Sequence, residues 1–197
     1  MPARIKSMSA SAGAIIAVME HLVVFAIILF VTIGAWSVQR VGRKNNLTIS
    51  QHVAKSRTTQ ILFGIFGSAA TFFATWSIFG WLLPHHQANV MSYIVFGLIM
   101  LGFLVAAVVP YIKGTVRGTV HNIAAWGMCY LIPVAILSAL FWPLSDFVRI
   151  ASVLLLVTSI ALLYLFATKK ELRRSMLLFQ SGYLAVFFVF LLLVTYF

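Results

Sequence analysis

The chain has 197 residues, of which 62% are hydrophobic and 9% are charged, and its net charge is +11. Soluble domains carry about 25% charged residues, so this composition excludes a soluble globular protein, a disordered chain and a disulfide scaffold. The single cysteine, Cys129, also excludes an internal disulfide and a CxxC redox pair.

Six segments are apolar and about 20 residues or longer, the length that a helix needs to cross a hydrocarbon core of roughly 30 Å. Because a backbone in lipid has to satisfy its own hydrogen bonds, each segment is expected to be an α-helix. The sequence predicts an all-α polytopic membrane protein, a single transmembrane domain folded as a six-helix transmembrane bundle with short loops. The predicted spans are residues 10–38, 61–83, 90–109, 120–142, 147–168 and 175–197.

Prolines mark several predicted helix ends, because proline donates no backbone hydrogen bond and clashes with the preceding turn. Pro84, Pro110 and Pro143 are expected to end the second, third and fourth spans. Pro133 falls inside the fourth span, where it is expected to kink the helix and to free the carbonyl of Cys129. Such a carbonyl needs a donor from a neighbouring helix.

Residues 42–60 form the longest polar stretch and separate the first two spans. Thr48 or Ser50 is a suitable N-cap for a helix that leads into the second span. His52 lies among cations in this stretch and is predicted to be solvated. Thr119 is the expected cap of the fourth span.

Positive charge is concentrated in alternate connections. Eleven of the 14 Lys and Arg residues fall between spans one and two, three and four, or five and six. The positive-inside rule places these loops in the cytoplasm and both termini outside, in a multi-pass protein of the cell membrane. The expected partners are the lipid bilayer and anionic headgroups at the basic loops. Nucleic acid is not expected, because its usual binding surface is a basic face on a soluble fold.

Glu20 and His21 are adjacent ionisable residues inside the first span, two to three turns from its predicted outer end. A central acidic residue costs about 2.5–3.5 kcal/mol on membrane-insertion scales, and such residues usually face the bundle interior and find a partner. The pair is therefore a candidate for relaying a proton or binding a ligand. The alternative is a buried hydrogen bond that fixes helix packing.

Other histidines give weaker signals. His121 and Asn122 lie at the beginning of the fourth span, after a glycine-rich turn. They are candidates for binding a headgroup, a proton or a haem. The alternative is that they are polar residues at a helix start in the membrane interface. His85 and His86 are weak metal candidates in the second connection. Because Zn²⁺ takes three or four ligands, a solvated loop is the favoured interpretation.

The stretch from Pro110 to Trp126 has a proline at the end of the third helix, a glycine-rich turn and a histidine that opens the fourth helix before small residues. In this stretch and in its six-helix layout, the chain resembles an uncharacterised prokaryotic family of integral membrane proteins, loosely similar to DRAM-like proteins. The resemblance implies the fold and a role for His121, but no activity.

The sequence contains no P-loop, no H-E-x-x-H and no G-x-S-x-G motif, so no catalytic residue is assigned and a non-enzyme is favoured. The first hypothesis is a small transporter or sensor of a small molecule, lipid or proton that uses the Glu20–His21 pair. The second is a membrane-bound redox protein or enzyme whose histidines bind haem or a metal, cofactors that the sequence does not favour. The third is a non-catalytic subunit of a membrane complex or a homo-oligomer.

Overall fold

The computed structural model of the protein describes the backbone of residues 2–197 and the side chains of residues 18–171 and 174–197. Six of its helices are long and apolar enough to cross a membrane, which confirms the predicted all-α six-helix bundle. The helices are α1 (Pro2–Val41), α2 (Ile49–Val53), α3 (Arg57–Ser77), α4 (Leu83–His85), α5 (Val90–Val108), α6 (Val116–Ala139), α7 (Asp146–Thr168), α8 (Lys170–Arg174) and α9 (Met176–Tyr196), and a π-helical turn (Ile78–Leu82) joins α3 to α4.

Successive spans pack side by side, and the first and last close the ring. Helix α1 packs on α3, α3 on α5, α5 on α6, α6 on α7, and α7 on α9, which also contacts α1. Residues 42–56, 109–115 and 169–175 meet at one end, which we call the basic end. Residues 86–89, residues 140–145 and the C-terminus meet at the other, which we call the terminal end.

Aromatic and aliphatic side chains fill the middle of the bundle. Phe96, Ile99, Phe187 and Phe190 are each 0% exposed. Phe103 of α5 stacks on Phe187 of α9 with 6.0 Å between ring centroids. Helix α9 thus contributes aromatic side chains to the centre of the core.

Two prolines inside the spans are accommodated in different ways. The second span ends at His85, one residue after Pro84, and the π-helical turn ends at Leu82, two residues before this proline. Pro133 lies inside α6 as predicted. The hydroxyl of Tyr183 in α9 donates to the Cys129 carbonyl, so a neighbouring helix satisfies the group that the proline frees.

The connection between α1 and α3 folds back against the bundle. Thr48 and Gln51 form a reciprocal capping box that starts α2, so Thr48 caps a separate short helix rather than the second span itself. The backbone N–H of Ile49 donates to Oε1 of Gln180 at 2.7 Å. These contacts attach the loop to the beginning of α9.

The prediction that His52 is solvated is wrong, because its side chain is 0% exposed. Its Nδ1 lies 2.8 Å from the Thr48 carbonyl oxygen, and its Nε2 lies 3.1 Å from the backbone nitrogen of Lys44. The carbonyl requires a donor and the Lys44 N–H requires an acceptor, so the ring is neutral with its hydrogen on Nδ1. His52 fixes the fold of the loop, and its cationic neighbours remain outside.

Candidate functional site

His121 is buried at the basic end with one ring nitrogen occupied. It lies early in α6 and is 3% exposed. Its Nδ1 lies 2.7 Å from the Val109 carbonyl oxygen. Because a carbonyl oxygen only accepts, Nδ1 carries the hydrogen and donates it, and Nε2 of the neutral ring keeps its lone pair.

The residue that follows Val109 explains why its carbonyl is available. Pro110 disfavours helical dihedral angles at the preceding residue, and Val109 ends α5 in an extended conformation (φ −94°, ψ 105°). Its carbonyl therefore leaves the helical ladder and accepts from His121 instead. A proline at the end of one span thus orients the histidine at the beginning of the next.

Two glycines keep this turn tight. Gly114 has φ +77°, a left-handed conformation that glycine adopts without strain. A Cβ at Gly118 would lie 2.1 Å from the Ile112 carbonyl oxygen, so only glycine fits there. Thr115, and not the predicted Thr119, is the N-cap of α6 and accepts from the Gly118 N–H at 3.2 Å.

A partly open cavity of about 340 Å³ lies beside His121. Its walls come from α2, the first turns of α3, the end of α5 and the turn that follows. Most of the lining is apolar, with Val53, Phe63, Ile65 and Val108 among its residues. Sites for small molecules commonly have this size and an apolar lining with a few placed polar groups.

Four polar side chains reach this cavity, from Ser50, Gln60, Tyr111 and His121. The Gln60 side-chain nitrogen donates to the Ala54 carbonyl at 2.8 Å. Within the part of the chain that the structure describes, no hydrogen bond uses Ser50 Oγ, Tyr111 Oη or His121 Nε2. A molecule in the cavity can therefore meet an imidazole lone pair and two hydroxyl groups.

Of these four residues, the sequence predicts only His121, and Ser50, Gln60 and Tyr111 are not predicted. The Thr48-x-x-Gln51 spacing is the signal that was available, because a capping box predicts a short helix that folds the loop back. Asn122, predicted together with His121, is exposed and does not line the cavity.

The segments that line the cavity carry positive charge only. Lys55, Arg57, Lys113 and Arg117 are all exposed, and residues 42–60 and 109–121 contain no Asp or Glu. The resulting positive potential favours a ligand with an anionic or electron-rich polar group over a cation.

Glu20 and His21 lie at the terminal end, level with the last residue of α9. The hydroxyl of Tyr196 donates to the Glu20 backbone carbonyl at 3.3 Å, and His21 Nδ1 lies 3.0 Å from the same hydroxyl. His21 is exposed and Glu20 is half-buried. The two side chains do not bond to each other, and neither lines the cavity beside His121. Their predicted part in proton or ligand binding stays a prediction.

His85 and His86 belong to a row of stacked rings at the terminal end. His85 stacks on Trp81 at 5.0 Å and His86 stacks on Trp142 at 5.3 Å between centroids. His86 Nε2 donates to the Val194 carbonyl at 2.8 Å. Among the described residues, no three His, Cys, Asp or Glu side chains are grouped to hold a metal ion. His85 is exposed, as expected for a solvated loop, whereas His86 is half-buried and hydrogen-bonded to α9.

Burial lowers the pKa of His86 below its ordinary value, and the positive charge of a protonated His85 lowers it further. The Val194 carbonyl opposes both effects, because it accepts from the ring and stabilises the protonated form. The ring is therefore held mainly in its neutral form.

Comparison with known proteins gives no relative from which a function could be carried over: no family model, curated protein or solved structure matches the chain.

Proposed function

We propose that this membrane protein binds a small amphipathic molecule in the cavity beside His121 and acts as a receptor or sensor for it. The polar group of the ligand meets His121 Nε2 and the hydroxyl of Tyr111, and its apolar part lies on Phe63 and Val108. We further propose that the basic end faces the cytoplasm, as the distribution of Lys and Arg favours, so that the ligand enters from that side or from the adjoining leaflet.

The observation that supports this proposal is the unpaired Nε2 of His121 beside a mostly apolar cavity. Because Nε2 keeps an unused lone pair, a ligand with a polar hydrogen can donate to it and form a hydrogen bond in largely apolar surroundings. The packed middle of the bundle favours binding over conduction. Phe96, Phe187 and Phe190 are each 0% exposed between the two ends, and a hydrated conduction path would have to displace these packed rings.

The test is to purify the protein in a mild detergent, extract it with organic solvent and identify by mass spectrometry the compounds it retains. The wild type should retain one class of amphipathic compound in about a stoichiometric amount. Ala106→Leu, which fills the cavity, should lose it. His121→Asn, whose Nδ2 can take the place of Nδ1 and donate to the Val109 carbonyl but which has no atom at the position of Nε2, should retain at least about tenfold less, the loss expected for one strong hydrogen bond.

Ala161→Leu is the matched control, because Ala161 is exposed on α7 and lies outside the cavity. This variant adds the same volume to a lipid-facing surface and should retain the compound as the wild type does. If no compound differs between the wild type and Ala106→Leu, the cavity is not a binding site and the proposal fails.

Proton-coupled transport through Glu20 is a second candidate. One observation favours it: the half-buried Glu20 carboxylate takes no hydrogen bond or ion pair from the side chains described by the structure. Once the retained compound is known, its uptake can be measured in proteoliposomes with an imposed pH gradient. Glu20→Gln should abolish gradient-driven uptake if Glu20 carries the proton, and unchanged uptake would remove Glu20 from the mechanism.

A further inference from the structure

The first and last spans enclose a second cavity, separate from the one beside His121. Its volume is about 480 Å³, and it lies between α1 and α9 in the half of the bundle next to the basic end. Phe30, Val31, Leu184 and Phe188 form much of its apolar surface. We call it the α1–α9 groove.

The groove forms because α1 and α9 contact each other at the terminal end and in the middle of the bundle, where Phe30 packs edge-on against Phe188 at 5.9 Å between ring centroids, but separate towards the basic end. At the terminal end the Tyr196 hydroxyl donates to the Glu20 carbonyl. At the basic end the loop after α1 lies between the two helices, where the Leu177 N–H donates to the Asn45 carbonyl at 3.1 Å. Small residues on the facing surfaces, Ala35 and Ala185 among them, leave the space between the helices open.

The depth of the groove matches one leaflet. Its lining extends over residues 30–39 of α1 and 177–188 of α9, which is about 13–17 Å along the helix axes. Half of a hydrocarbon core of roughly 30 Å is about 15 Å. An acyl chain of the leaflet at the basic end therefore fits the groove along its length.

The Arg43 side chain lies at the basic end of the groove, at the level expected for lipid headgroups. Arg43 lines it together with Gln39. The Arg43 Nε donates to Asn45 Oδ1 at 3.2 Å, and no other described residue accepts from its two terminal nitrogens. A guanidinium fixed at Nε and free at both terminal nitrogens has the geometry that binds phosphate oxygens in pairs.

We propose that the α1–α9 groove is a binding site for a phospholipid with an anionic headgroup. Its acyl chain lies on Phe30, Leu184 and Phe188, and its phosphate binds the terminal nitrogens of Arg43. The exposed Arg40 and Lys44 add the positive potential that selects an anionic headgroup over a zwitterionic one.

The test is native mass spectrometry of the whole protein released from vesicles that contain equal amounts of phosphatidylglycerol and phosphatidylcholine. The wild type should retain phosphatidylglycerol preferentially. Arg43→Gln should reduce that preference about tenfold, the loss expected for charge-assisted hydrogen bonds. Ala35→Leu with Ala185→Leu narrows the groove and should reduce retention of both lipids.

Arg57→Gln is the matched control for charge, because Arg57 is an exposed cation at the same end outside the groove. It should leave the preference unchanged, and an equal loss in Arg57→Gln and Arg43→Gln would overturn the site in favour of general attraction by the basic end. Equal retention of the two lipids by the wild type would also overturn it. Displacement of the lipid by an excess of inorganic phosphate would show that the site takes a free anion and would overturn the proposal of a phospholipid. Ala106 lines the cavity beside His121 and not the α1–α9 groove. The proposed ligand site and the proposed phospholipid site can therefore fail independently.

Discussion

The two ends of the bundle use histidine differently. At the terminal end, His86 stacks on Trp142 and donates to the Val194 carbonyl, within a row of rings that covers the end of the core. At the basic end, His121 also donates to a backbone carbonyl, but it lines a cavity and no described residue bonds to its Nε2. In each ring one nitrogen, Nε2 of His86 and Nδ1 of His121, bonds to a backbone carbonyl. The surroundings of the other nitrogen therefore distinguish the candidate binding residue from the structural one.

A similar contrast exists within the basic end itself. His52 and His121 are both buried and both donate through Nδ1 to a carbonyl. His52 also accepts the Lys44 N–H at Nε2, which leaves that ring without a free hydrogen-bonding atom. His52 is therefore a structural residue, and His121 is the one with capacity for a ligand.

The largest effect expected from this contrast is the difference between His52→Ala and His121→Ala. The first removes two hydrogen bonds and opens a void at a site that is 0% exposed, so we expect a loss of about 3–4 kcal/mol in the free energy of unfolding. The second removes one hydrogen bond beside an existing cavity, and we expect about 1–2 kcal/mol. Chemical unfolding in detergent micelles measures both.

Equal losses of unfolding free energy in His52→Ala and His121→Ala would contradict the distinction between the two histidines. They would mean that the hydrogen bond at Nε2 of His52 does not stabilise the loop. His52→Ala should also weaken lipid retention in the α1–α9 groove, since the same loop positions Arg43.

A second prediction compares one glycine at each end. A Cβ at Gly118 would lie 2.1 Å from a backbone oxygen, whereas at Gly80 it would lie 2.1 Å from the terminal methyl group of Met19. In Gly118→Ala the backbone turn around Ile112 has to shift to make room for the added methyl group. In Gly80→Ala the Met19 side chain can move away by changing its rotamer. Gly118→Ala should therefore cost about 2–3 kcal/mol and Gly80→Ala less than about 1 kcal/mol.

Gly127→Ala is the control for these two variants, because no atom lies within 4 Å of a Cβ added there. In the interior of α6 it should gain up to about 1 kcal/mol from helix propensity. Thermal unfolding in the same detergent ranks the three variants. A larger loss for Gly80→Ala than for Gly118→Ala would show that the terminal end is the more rigidly packed of the two.

The fold could be predicted from the sequence because one physical requirement dominates it. A helix in lipid needs a long apolar segment, so composition alone located six spans, and the ends of α5 and α7 agree with the predicted boundaries to within one residue. The effect of Pro133 could also be predicted in part. Proline frees a carbonyl wherever it lies in a helix, but only the three-dimensional structure identifies Tyr183 as the donor.

The candidate site could not be predicted in the same way, because its polar residues come from separate segments. Ser50, Gln60 and Tyr111 are unremarkable in their local sequence and meet only when α2 folds back against the bundle. His52 shows the opposite failure: its cationic neighbours suggested solvation, but hydrogen bonds to Thr48 and Lys44 satisfy its ring in a buried position.

The smallest effect concerns pH and tests the terminal end alone. The pKa of His86 is lowered in the folded protein, chiefly by burial, so the unfolded chain takes up a proton at a higher pH than the native state does. Stability from this residue is therefore complete above about pH 7 and decreases as the pH falls through the ordinary histidine pKa of about 6.5 towards the lower native value. Thermal midpoints measured between about pH 8 and pH 5 should decrease for the wild type. His86→Gln can still donate to the Val194 carbonyl but does not titrate, so its midpoints should decrease less.

His85→Gln is the matched control, since it removes the neighbour whose charge acts on His86 and should reduce the slope of midpoint against pH only slightly. His52→Gln is not a suitable control, because it breaks a buried hydrogen bond at any pH. If His86→Gln keeps the full wild-type slope, the pH dependence arises elsewhere, and the neutral ring stacked on Trp142 is not what stabilises this end of the bundle.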